Sequence, residues 1–524
     1  MTLQILETQR DEPEIVQARL KSVMRRYEAA MKKRGGWENI WQECYDYALP
    51  QRGGFTHKPL NGARKKDHIY DATAMDAADR LAASMLGNLT PSWSQWFGLK
   101  PGPAVSDKEA ERLAPVLEKA ARAVQDHFDR SNFAVEVHQC YLDLIVGGTA
   151  SLVFEESEPG SFSAFNFAAI PLTHLVLEEG VNGTLDGAYR QMELSLGQLN
   201  ARYEDAIIPD EVYNRASRDP QARFKVLEAI MPDELVYSYH AILMDVGDAP
   251  YLLSNGRFNS SPIISFRWLK SPGEIYGRSP VMKALPDIKT ANKVVELILK
   301  NASISVTGIW QADDDGVLNP ANIDLTPGSI IPKAIGSKGL QPLSMPGSFD
   351  VSQLVLESLH SRIRSALLSD KLAPISGPSM TATEVLERSA EMALVLGATY
   401  GRLQSELLTP LIKRAYMILK RRGEVPDIDL DGRYVMVDYR SPLARSQAQR
   451  NVQNTLSWIN SVMAMGPEAQ AAMNLPKAAR YLGDVLGVPS DLIRKQDPVV
   501  TLAQNVKQDA EKLSAQSQSS TIKE

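Results

Sequence analysis

The sequence is poor in cysteine. Its 524 residues include two, Cys44 and Cys140, which lie far apart and form no CxxC spacing. A disulfide-stapled scaffold, or a zinc site built on paired cysteines, needs more thiols at closer spacing. Because both cysteines lie in apolar segments with helical spacing, we expect them to be buried free thiols.

Long apolar runs and an excess of basic residues are also missing. No run of about 18 apolar residues is present, so the sequence predicts no membrane-spanning helix. The first residues, MTLQILETQRDEPE, lack a basic stretch followed by an apolar core, so we expect no secretory signal. A net charge of -6 argues against a basic surface that grips nucleic acid through its phosphates. We therefore expect the chain to fold in a reducing cytoplasm.

The sequence patterns of common enzyme sites are absent as well. Residues 147–149 and 336–339 lack the spacing of a phosphate-binding P-loop, and no GxSxG nucleophile elbow is present. The seven histidines form no HxxxH, HxH or HExxH pattern. Residues 313–316, Asp-Asp-Asp-Gly, lack the alternating oxygen ligands and final glutamate of a calcium loop, which favours a solvated acidic turn. We assign no catalytic, cofactor-binding or metal-ligating residue and expect no enzyme.

What remains is ordinary globular composition, with 44% hydrophobic and 23% charged residues and length for two to four domains. Apolar residues at three-to-four spacing predict a helix over 13–48, which Gly35-Gly36 breaks. Further helices are predicted from Asp71, as N-cap, to about residue 88, over 106–130 and over 133–147. Residues 90–99 are aromatic and alternating, which is typical of a strand.

From residue 148 to about 270 the period changes to that of strands. Short alternating runs separated by Gly, Pro, Asn and Asp predict a β-rich region. The predicted strands are Ser151–Phe154, Phe162–Phe167, His174–Leu177, Gly187–Met192, Leu235–Met244 and Pro262–Trp268. A helix is predicted near Leu196–Tyr203, followed by a polar stretch over 204–222.

The segment from Tyr276 to Gly423 is the most informative. It predicts a helix over 277–303 with Pro280 in its first turn, then strands and turns over 304–346, and a second helix over 350–368. An irregular stretch over 369–380 precedes a helix that runs from Thr381 to Arg422 and is kinked at its internal glycines and proline. We call the helices over 277–303 and 350–368 the struts and the segment between them the tip. This order, followed by a loop and a long helix, is typical of a subunit that builds a ring or conduit.

The remaining chain is predicted to be mainly helical. Residues 425–440 predict a strand, a turn and a strand, and helices follow at about 441–465, 467–473, 476–486 and 498–513. The final residues, 511–524, are rich in Ser, Gln and Lys, and we expect them to be disordered.

In this order of parts the chain resembles the head-to-tail connecting, or portal, proteins of short-tailed bacteriophages (podovirus type). Each motif is moderately specific, whereas their order and spacing over residues 10–500 are quite specific. The motifs are Trp37–Tyr47 with the following Pro50–Gly54, Asp71–Leu89, Thr90–Phe97, Tyr276–Pro280 and Met380–Val385.

The resemblance implies an α+β, mainly helical fold, in a portal-type ring subunit with wing, stem, clip and crown. The implied wing covers 1–270, with its β-rich part from about 148. A first stem helix over 271–302, a clip over 303–346 and a second stem helix over 347–368 follow. The remaining parts are a channel loop over 369–380, a long kinked helix with a return to the wing over 381–440, crown helices over 441–510 and a disordered tail over 511–524.

The resemblance also implies site residues. Those expected to line the DNA channel are Ser369, Asp370, Lys371, Pro374, Ser376, Gly377, Pro378 and Ser379. Those expected to dock partners at the clip are Asp313, Asp314, Asp315, Asn319, Lys333 and Lys338. Read without the resemblance, the same loop lysines are equally well explained as ordinary solvated residues.

Implied partners follow from the same family. They are other copies of this chain in a ring of about twelve, double-stranded DNA passing through the ring, the major capsid protein, a scaffold, the packaging terminase and a tail adaptor, with no membrane. The implied location is the capsid vertex of the virion, with the host cytoplasm during assembly. A mildly acidic subunit suits a conduit, because tight phosphate contacts would stall the DNA.

Two other classes remain as alternatives. Another virion structural protein, such as a tail tube or scaffold, would also lack catalytic motifs, although the mixed region over 150–270 favours a rigid ring subunit. A DNA-processing enzyme, such as a terminase subunit or nuclease, predicts a Walker motif or a cluster of carboxylates that bind metal, and the sequence has neither.

Overall fold

The computed structural model describes residues 13–52, 54–55, 68–234, 236–247, 249–307, 310–311, 341–342, 349–369, 397–466 and 473–486. The helices are α1 (Pro13–Ala48), α2 (Thr73–Leu89), α3 (Asp107–Asp129), α4 (Phe133–Gly147), α5 (Leu196–Arg202), α6 (Asp210–Arg218), α7 (Pro280–Thr307), α8 (Phe349–Ala366), α9 (Gly397–Leu403), α10 (Thr409–Arg421), α11 (Pro442–Ala464) and α12 (Leu475–Leu486). A 3₁₀ turn at Leu172–His174 and a π-helical turn at Gln404–Leu408 complete the helical segments of this part of the chain.

The strands lie mostly in the middle of the chain. They are β1 (Phe97–Pro101), β2 (Thr149–Glu156), β3 (Phe165–Ile170), β4 (Leu175–Glu179), β5 (Leu185–Leu194), β6 (Phe224–Asp233), β7 (Val236–Leu243), β8 (Tyr251–Phe258), β9 (Ile263–Arg267), β10 (Trp310–Gln311), β11 (Gln341–Pro342) and β12 (Val435–Tyr439). The mixed, helix-dominated architecture agrees with the predicted fold class.

Helix α1 passes through Gly35 and Gly36 without a break, so the predicted interruption is wrong. Each glycine costs about 1 kcal/mol relative to alanine inside a helix. Contacts on either side offset that cost. Arg34 donates to two backbone carbonyls that follow β3, at 3.3 and 3.0 Å, and Trp41 Nε1 donates to the carbonyl of Gly147 at 3.0 Å. Tertiary packing therefore overrides the local preference.

Helices α3 and α4 confirm the predictions for 106–130 and 133–147, and they cover a buried aromatic cluster. Phe128 and Phe133 lie 4.9 Å apart, centroid to centroid, and Phe154 and Phe167 of the neighbouring strands lie 4.4 Å apart. Each ring buries a large apolar area. The cluster fixes α3 and α4 against β2 and β3.

Two antiparallel sheets account for the predicted β-rich region. Strands β3-β2-β9 form a small sheet in that order, and β4-β5-β6-β7-β8 form a large one. The register of the large sheet is set by cross-strand rows such as Tyr189, Ala229 and His240. All six predicted strands overlap observed strands, and the predicted helix near 196–203 is α5.

The sequence prediction missed β6, β8 and α6. Strand β6 is buried on both faces, so it shows no alternation that would separate it from a buried helix. Strand β8 carries Asn255-Gly256, which indicates a turn rather than a strand. Helix α6 lies inside the polar stretch over 204–222 and buries Val212 as its one fully buried residue, so its apolar signal is weak.

Strand β12 pairs antiparallel with β1, with Phe97 opposite Tyr439. Of the two strands predicted within 425–440, the second is confirmed as β12, and the first is wrong because 425–434 contain no strand. The strand predicted over 90–99 begins only at Phe97. Helices α11 and α12 confirm the predictions for 441–465 and 476–486. Residues 467–472 and 487–524, with the predicted tail, lie outside the described residues.

Candidate functional site at the base of the paired helices

Helices α7 and α8 form an antiparallel pair whose far ends carry a small ribbon. Trp310, after α7, pairs with Pro342, before α8. Near the base of the pair, Arg362 of α8 contacts Asp287 of α7 at 2.8 Å. Helix α7 runs from Pro280 to Thr307, whereas the predicted helix covered 277–303; Pro280 lies in the first turn as predicted. The two helices agree with the predicted struts, while the predicted tip over 304–346 lies almost entirely outside the described residues.

The base of this pair is bonded to the segment that leads into α2. Asn292 is buried, and its Oδ1 accepts from the backbone N–H of Tyr70 at 2.7 Å and of Asp71 at 3.2 Å. His360 of α8 contacts Asp71 Oδ2 at 3.1 Å. The N-cap of α2 is Ala72, so the predicted N-cap at Asp71 is wrong by one residue. Asp71 Oδ1 nevertheless accepts from the N–H of Thr73, the first helical residue, at 3.1 Å. Both struts are therefore fixed to the body.

The structure explains the residue types found in the motif Tyr276–Pro280. The Tyr276 ring packs edge-on against Trp41, with centroids 4.9 Å apart, and its hydroxyl accepts from a backbone N–H of β4. Ser279 Oγ accepts from the N–H of Met282 at 2.8 Å and caps the start of α7. Pro280 is then the first helical residue, where its missing N–H is harmless.

Gly277 within this motif lies against Gly148 at the end of α4. A Cβ at either glycine would lie 2.2 Å from the carbonyl oxygen of the other, so neither position has room for a side chain. Gly148 also has φ of +79°, which favours glycine. The N–H of Gly277 donates to Thr149 Oγ1 at 2.8 Å. The backbone crossing sets the direction in which α7 leaves the body.

A buried ion pair joins β9 to the long helix. Arg267, which is 0% exposed, donates from Nη2 to Glu406 Oε1 at 2.7 Å and from its backbone N–H to Glu406 Oε2 at 2.9 Å. Its other donors reach the carbonyls of Ile275 and Gly183 at 3.0 and 2.8 Å. The guanidinium is thus bonded to three separate segments.

Glu179 of β4 completes this ion cluster. Arg267 Nη1 contacts its carboxylate at 3.3 Å, and Lys270 Nζ contacts the same oxygen. Burial alone would raise the pKa of Glu179, but the hydrogen bonds from Lys270 and Arg267 outweigh burial and lower the pKa. The carboxylate therefore stays ionised at neutral pH. With Arg402, which contacts Glu406 Oε1 at 3.2 Å, three cations face two carboxylates in the cluster.

Glu406 lies in the π-helical turn at Gln404–Leu408, between α9 and α10. Thr409 Oγ1 donates to the carbonyl of Gln404 at 2.8 Å and is 2.6 Å from the hydroxyl of Tyr439. Pro410 has no N–H to give to the preceding turn, and its ring crowds that turn. One extra residue per turn relieves the crowding, and π turns occur often at functional sites. The π turn lies just before Pro410, one of the positions where a kink is predicted, while the helix continues through Gly401. Residues 381–396 lie outside the described residues.

The residues assigned by sequence to the channel and the clip fall almost entirely outside the described residues. Ser369 is the exception; it is buried, and its Oγ donates to the carbonyl of Arg364 at 3.3 Å. Asp370, Lys371 and the other channel residues, and all the clip residues, lie in the segments 312–340 and 370–396, which the structure does not describe. Their roles stay predictions.

Arg267 and Glu406 were missed by sequence reasoning. A signal existed, because Arg267 ends a buried apolar strand and Glu406 stands among buried leucines. A charge in such surroundings needs a partner. The partner itself is not visible in sequence, because the two residues are 139 positions apart.

Other kinds of site find no support in the part of the chain that the structure describes. There, no group of three His, Cys, Asp or Glu residues is arranged to hold a metal ion. Among the helices of the same residues, none has both the length and the apolar content to cross a bilayer. Both cysteines are buried free thiols, as predicted.

We expect Glu406→Gln to lower the free energy of unfolding by about 3 kcal/mol, because removing one partner leaves Arg267 buried and undercompensated. Urea denaturation followed by circular dichroism measures the change. Asp76→Asn is the control, since Asp76 belongs to an exposed ion pair with Arg80 and should alter stability little. Equal stability of Glu406→Gln and the wild type would contradict the role given to this ion pair.

Gly148→Ala should destabilise the protein by at least about 2 kcal/mol, because a left-handed backbone and a blocked Cβ act together. Gly197→Ala is the matched control: Gly197 lies inside α5 with no atom within 4 Å of its added Cβ. That change should leave the thermal midpoint unchanged or slightly raised. Equal melting temperatures of the two variants would show that the contact between Gly148 and Gly277 does not require glycine at position 148.

Comparison with known proteins agrees with this architecture. The family model described as "Bacteriophage head to tail connecting protein" matches residues 20–493. The probable portal protein of Bordetella phage BPP-1 is 24% identical over 510 residues, which cover 91% of this chain and 89% of that protein. The portal protein of Salmonella phage epsilon15 is 24% identical over 500 residues, 89% of this chain and 87% of that protein.

Among solved structures, a chain in the virion of a native gene transfer agent particle is 12% identical and covers 82% of this chain and 98% of that chain. Its TM-score of 0.34 is too low to carry an argument about fold. The family match, in contrast, spans most of the sequence and includes the paired helices, their base and the long helix. The chain belongs to the family of bacteriophage head-to-tail connecting proteins.

Proposed function

We propose that the protein is a portal subunit that assembles into a ring at a capsid vertex and conducts double-stranded DNA during packaging and ejection. Its relatives in two phages are named portal proteins, and the family connects phage head to tail. The observation that carries the proposal is the pair α7–α8, fixed at its base and bearing apolar side chains on its outer half.

The outer half of the pair has more apolar surface than a free strut needs. Leu297 and Leu299 of α7 and Leu354 and Val355 of α8 are exposed, Leu354 at 72%. Exposed apolar residues grouped on one element mark an interaction surface. The inner half of α7 has no such surface, because residues 281, 284, 285, 288 and 291 are buried against the body. We propose that neighbouring copies of the chain bury these apolar residues on the outer half.

The apolar residues lie on two flanks. Leu297 and Leu299 are two positions apart in a helix, so they point about 200° from one another. A subunit with different contact patches on its two flanks makes head-to-tail contacts, and such contacts close into rings. We propose a ring of about twelve copies on the family resemblance, with residues 369–380 toward its hole.

The finer partners are proposals of the same kind. The segment 303–346, at the far end of the struts, is proposed to dock the terminase and then the tail adaptor, and the wing to meet the capsid protein and scaffold. We propose assembly in the host cytoplasm and a role without catalysis. The rival functions, a tail-tube or scaffold protein and a DNA-processing enzyme, have no observation in their favour among the described residues.

Negative-stain electron microscopy of the purified protein tests the ring. We expect closed rings with a central hole in the wild type, and Leu297→Glu should shift the population to monomers and open fragments, because it places a charge in an apolar contact. Phe162→Glu, a similar change on an exposed loop residue away from the paired helices, is the control. Uniform monomers in the wild type at every salt concentration would refute the proposal.

Deleting residues 372–379 tests the channel loop. The ring should persist, because the subunit contacts proposed above lie on the outer half of α7 and α8. The amount of nuclease-protected DNA in particles made in infected cells should fall severalfold or more. Loss of the ring in this variant would place the segment in subunit contacts and rule out a channel role.

A further inference from the structure

A groove runs along the exposed side of α10, on the part of the body that β2 and the turn after β8 contribute. Its volume is about 570 Å³. Apolar side chains in its lining include Phe258, Met417, Ile428 and Leu430, and Lys413 and Arg414 lie among them. We call this feature the α10 groove. It lies away from the paired helices and has no part in the ring or channel proposed above.

Arg414 is the unusual member of the groove. It is 8% exposed, and its bonds run to backbone and hydroxyl oxygens: Nε donates to the carbonyl of Phe154 at 2.8 Å, and Nη1 to the carbonyl and Oγ of Ser260 at 2.6 and 2.9 Å. Within the described chain no hydrogen bond or ion pair uses Nη2. A buried cation without a carboxylate partner is costly.

The carboxylates beside Arg414 are engaged elsewhere. Glu155 contacts Arg202 at 3.0 Å, and Glu156 contacts Arg421 and, at 3.6 Å, Arg422. Burial is the main reason that the pKa of Arg414 is lowered, to about 9, with Arg421 adding to the effect. Arg414 therefore remains charged at neutral pH.

The carboxylates on the opposite wall of the groove also have partners within the protein. Asp429 contacts Lys420 at 2.8 Å, and Asp431 accepts from the backbone N–H groups of Arg433 and Tyr434 at 2.8 and 2.7 Å. Lys413 is exposed and belongs to no ion pair in the part of the chain that is described. Lys413 and one edge of Arg414 are therefore the groove's cations without a carboxylate partner among the described residues, while backbone N–H groups hold the carboxylate of Asp431.

We propose that the α10 groove binds an acidic, amphipathic segment of a partner polypeptide, with a carboxylate against Arg414 and Lys413 and apolar side chains over Met417 and Leu430. Charge complementarity selects the partner: a carboxylate supplies the missing acceptor, and charge-assisted hydrogen bonds are the strong ones. The apolar lining disfavours a nucleic-acid backbone, because a phosphate backbone has no apolar side chains to cover Met417 and Leu430.

Fluorescence anisotropy with the full-length protein at about 0.15 M salt tests the proposal. The probe is a fluorescein-labelled peptide of about a dozen residues, long enough for the 413–421 face of α10, in which leucine and glutamate alternate. One comparison peptide carries lysine in place of every glutamate, and another carries serine in place of every leucine. We expect the first peptide to bind, and both others to bind at least about tenfold more weakly.

Variants of the groove locate the binding. Arg414→Gln should weaken binding of the acidic peptide about tenfold or more, the loss of one charged hydrogen bond. Because Arg414 is buried and its variant can misfold, Lys413→Glu and Met417→Glu, at exposed positions, provide a second test with the same expected loss. Lys119→Glu, an exposed lysine of α3, is the control and should bind as the wild type does.

Several results would overturn the proposal. They are no binding of the acidic peptide to the wild type, equal binding of the lysine peptide, and unchanged binding in both Lys413→Glu and Met417→Glu. A double-stranded oligonucleotide that competes with the acidic peptide would identify a nucleic-acid site instead. A change of oligomeric state in Lys413→Glu would identify a neighbouring copy as the occupant. None of these outcomes depends on whether the protein forms a DNA-conducting ring.

Discussion

The contact between Arg267 and Glu406 governs how the parts of the body meet. It joins the end of β9, the turn before α7 and the π turn of the long helix through one guanidinium. A buried ion pair adds little net stability, because desolvation offsets attraction. Its value here is specificity: only one register of the helix against the strand brings Glu406 to the donors of Arg267. The directions of the paired helices and of the long helix are therefore coupled to a single polar contact.

The base of the paired helices is held by close backbone contact and by side-chain hydrogen bonds. Two glycine backbones are in direct contact where α7 begins, and Asn292 and His360 bond both struts to the entry of α2. These contacts fix the orientation of the paired helices relative to α2 and α4.

The local pattern of the sequence predicted much of this fold. The predicted bounds of the helices α3, α4, α7 and α8 agree with the structure to within a few residues. What failed depended on distant contacts. Gly35-Gly36 remains helical because Arg34 and Trp41 are held from outside the helix, and β12 pairs with β1 across more than 300 positions, as from Phe97 to Tyr439. The ion-pair partner of Arg267 could not be predicted either, because it is distant in sequence.

The π turn has a geometric consequence for the long helix. An α-helix rotates by about 100° per residue, so one additional residue in a turn changes the phase of everything on its far side. Leu403 and Leu411 are both buried although they stand on opposite sides of that additional residue. The turn therefore changes the direction in which the side chains of α10 point relative to those of α9, and the carboxylate of Glu406 lies at the boundary between the two helices.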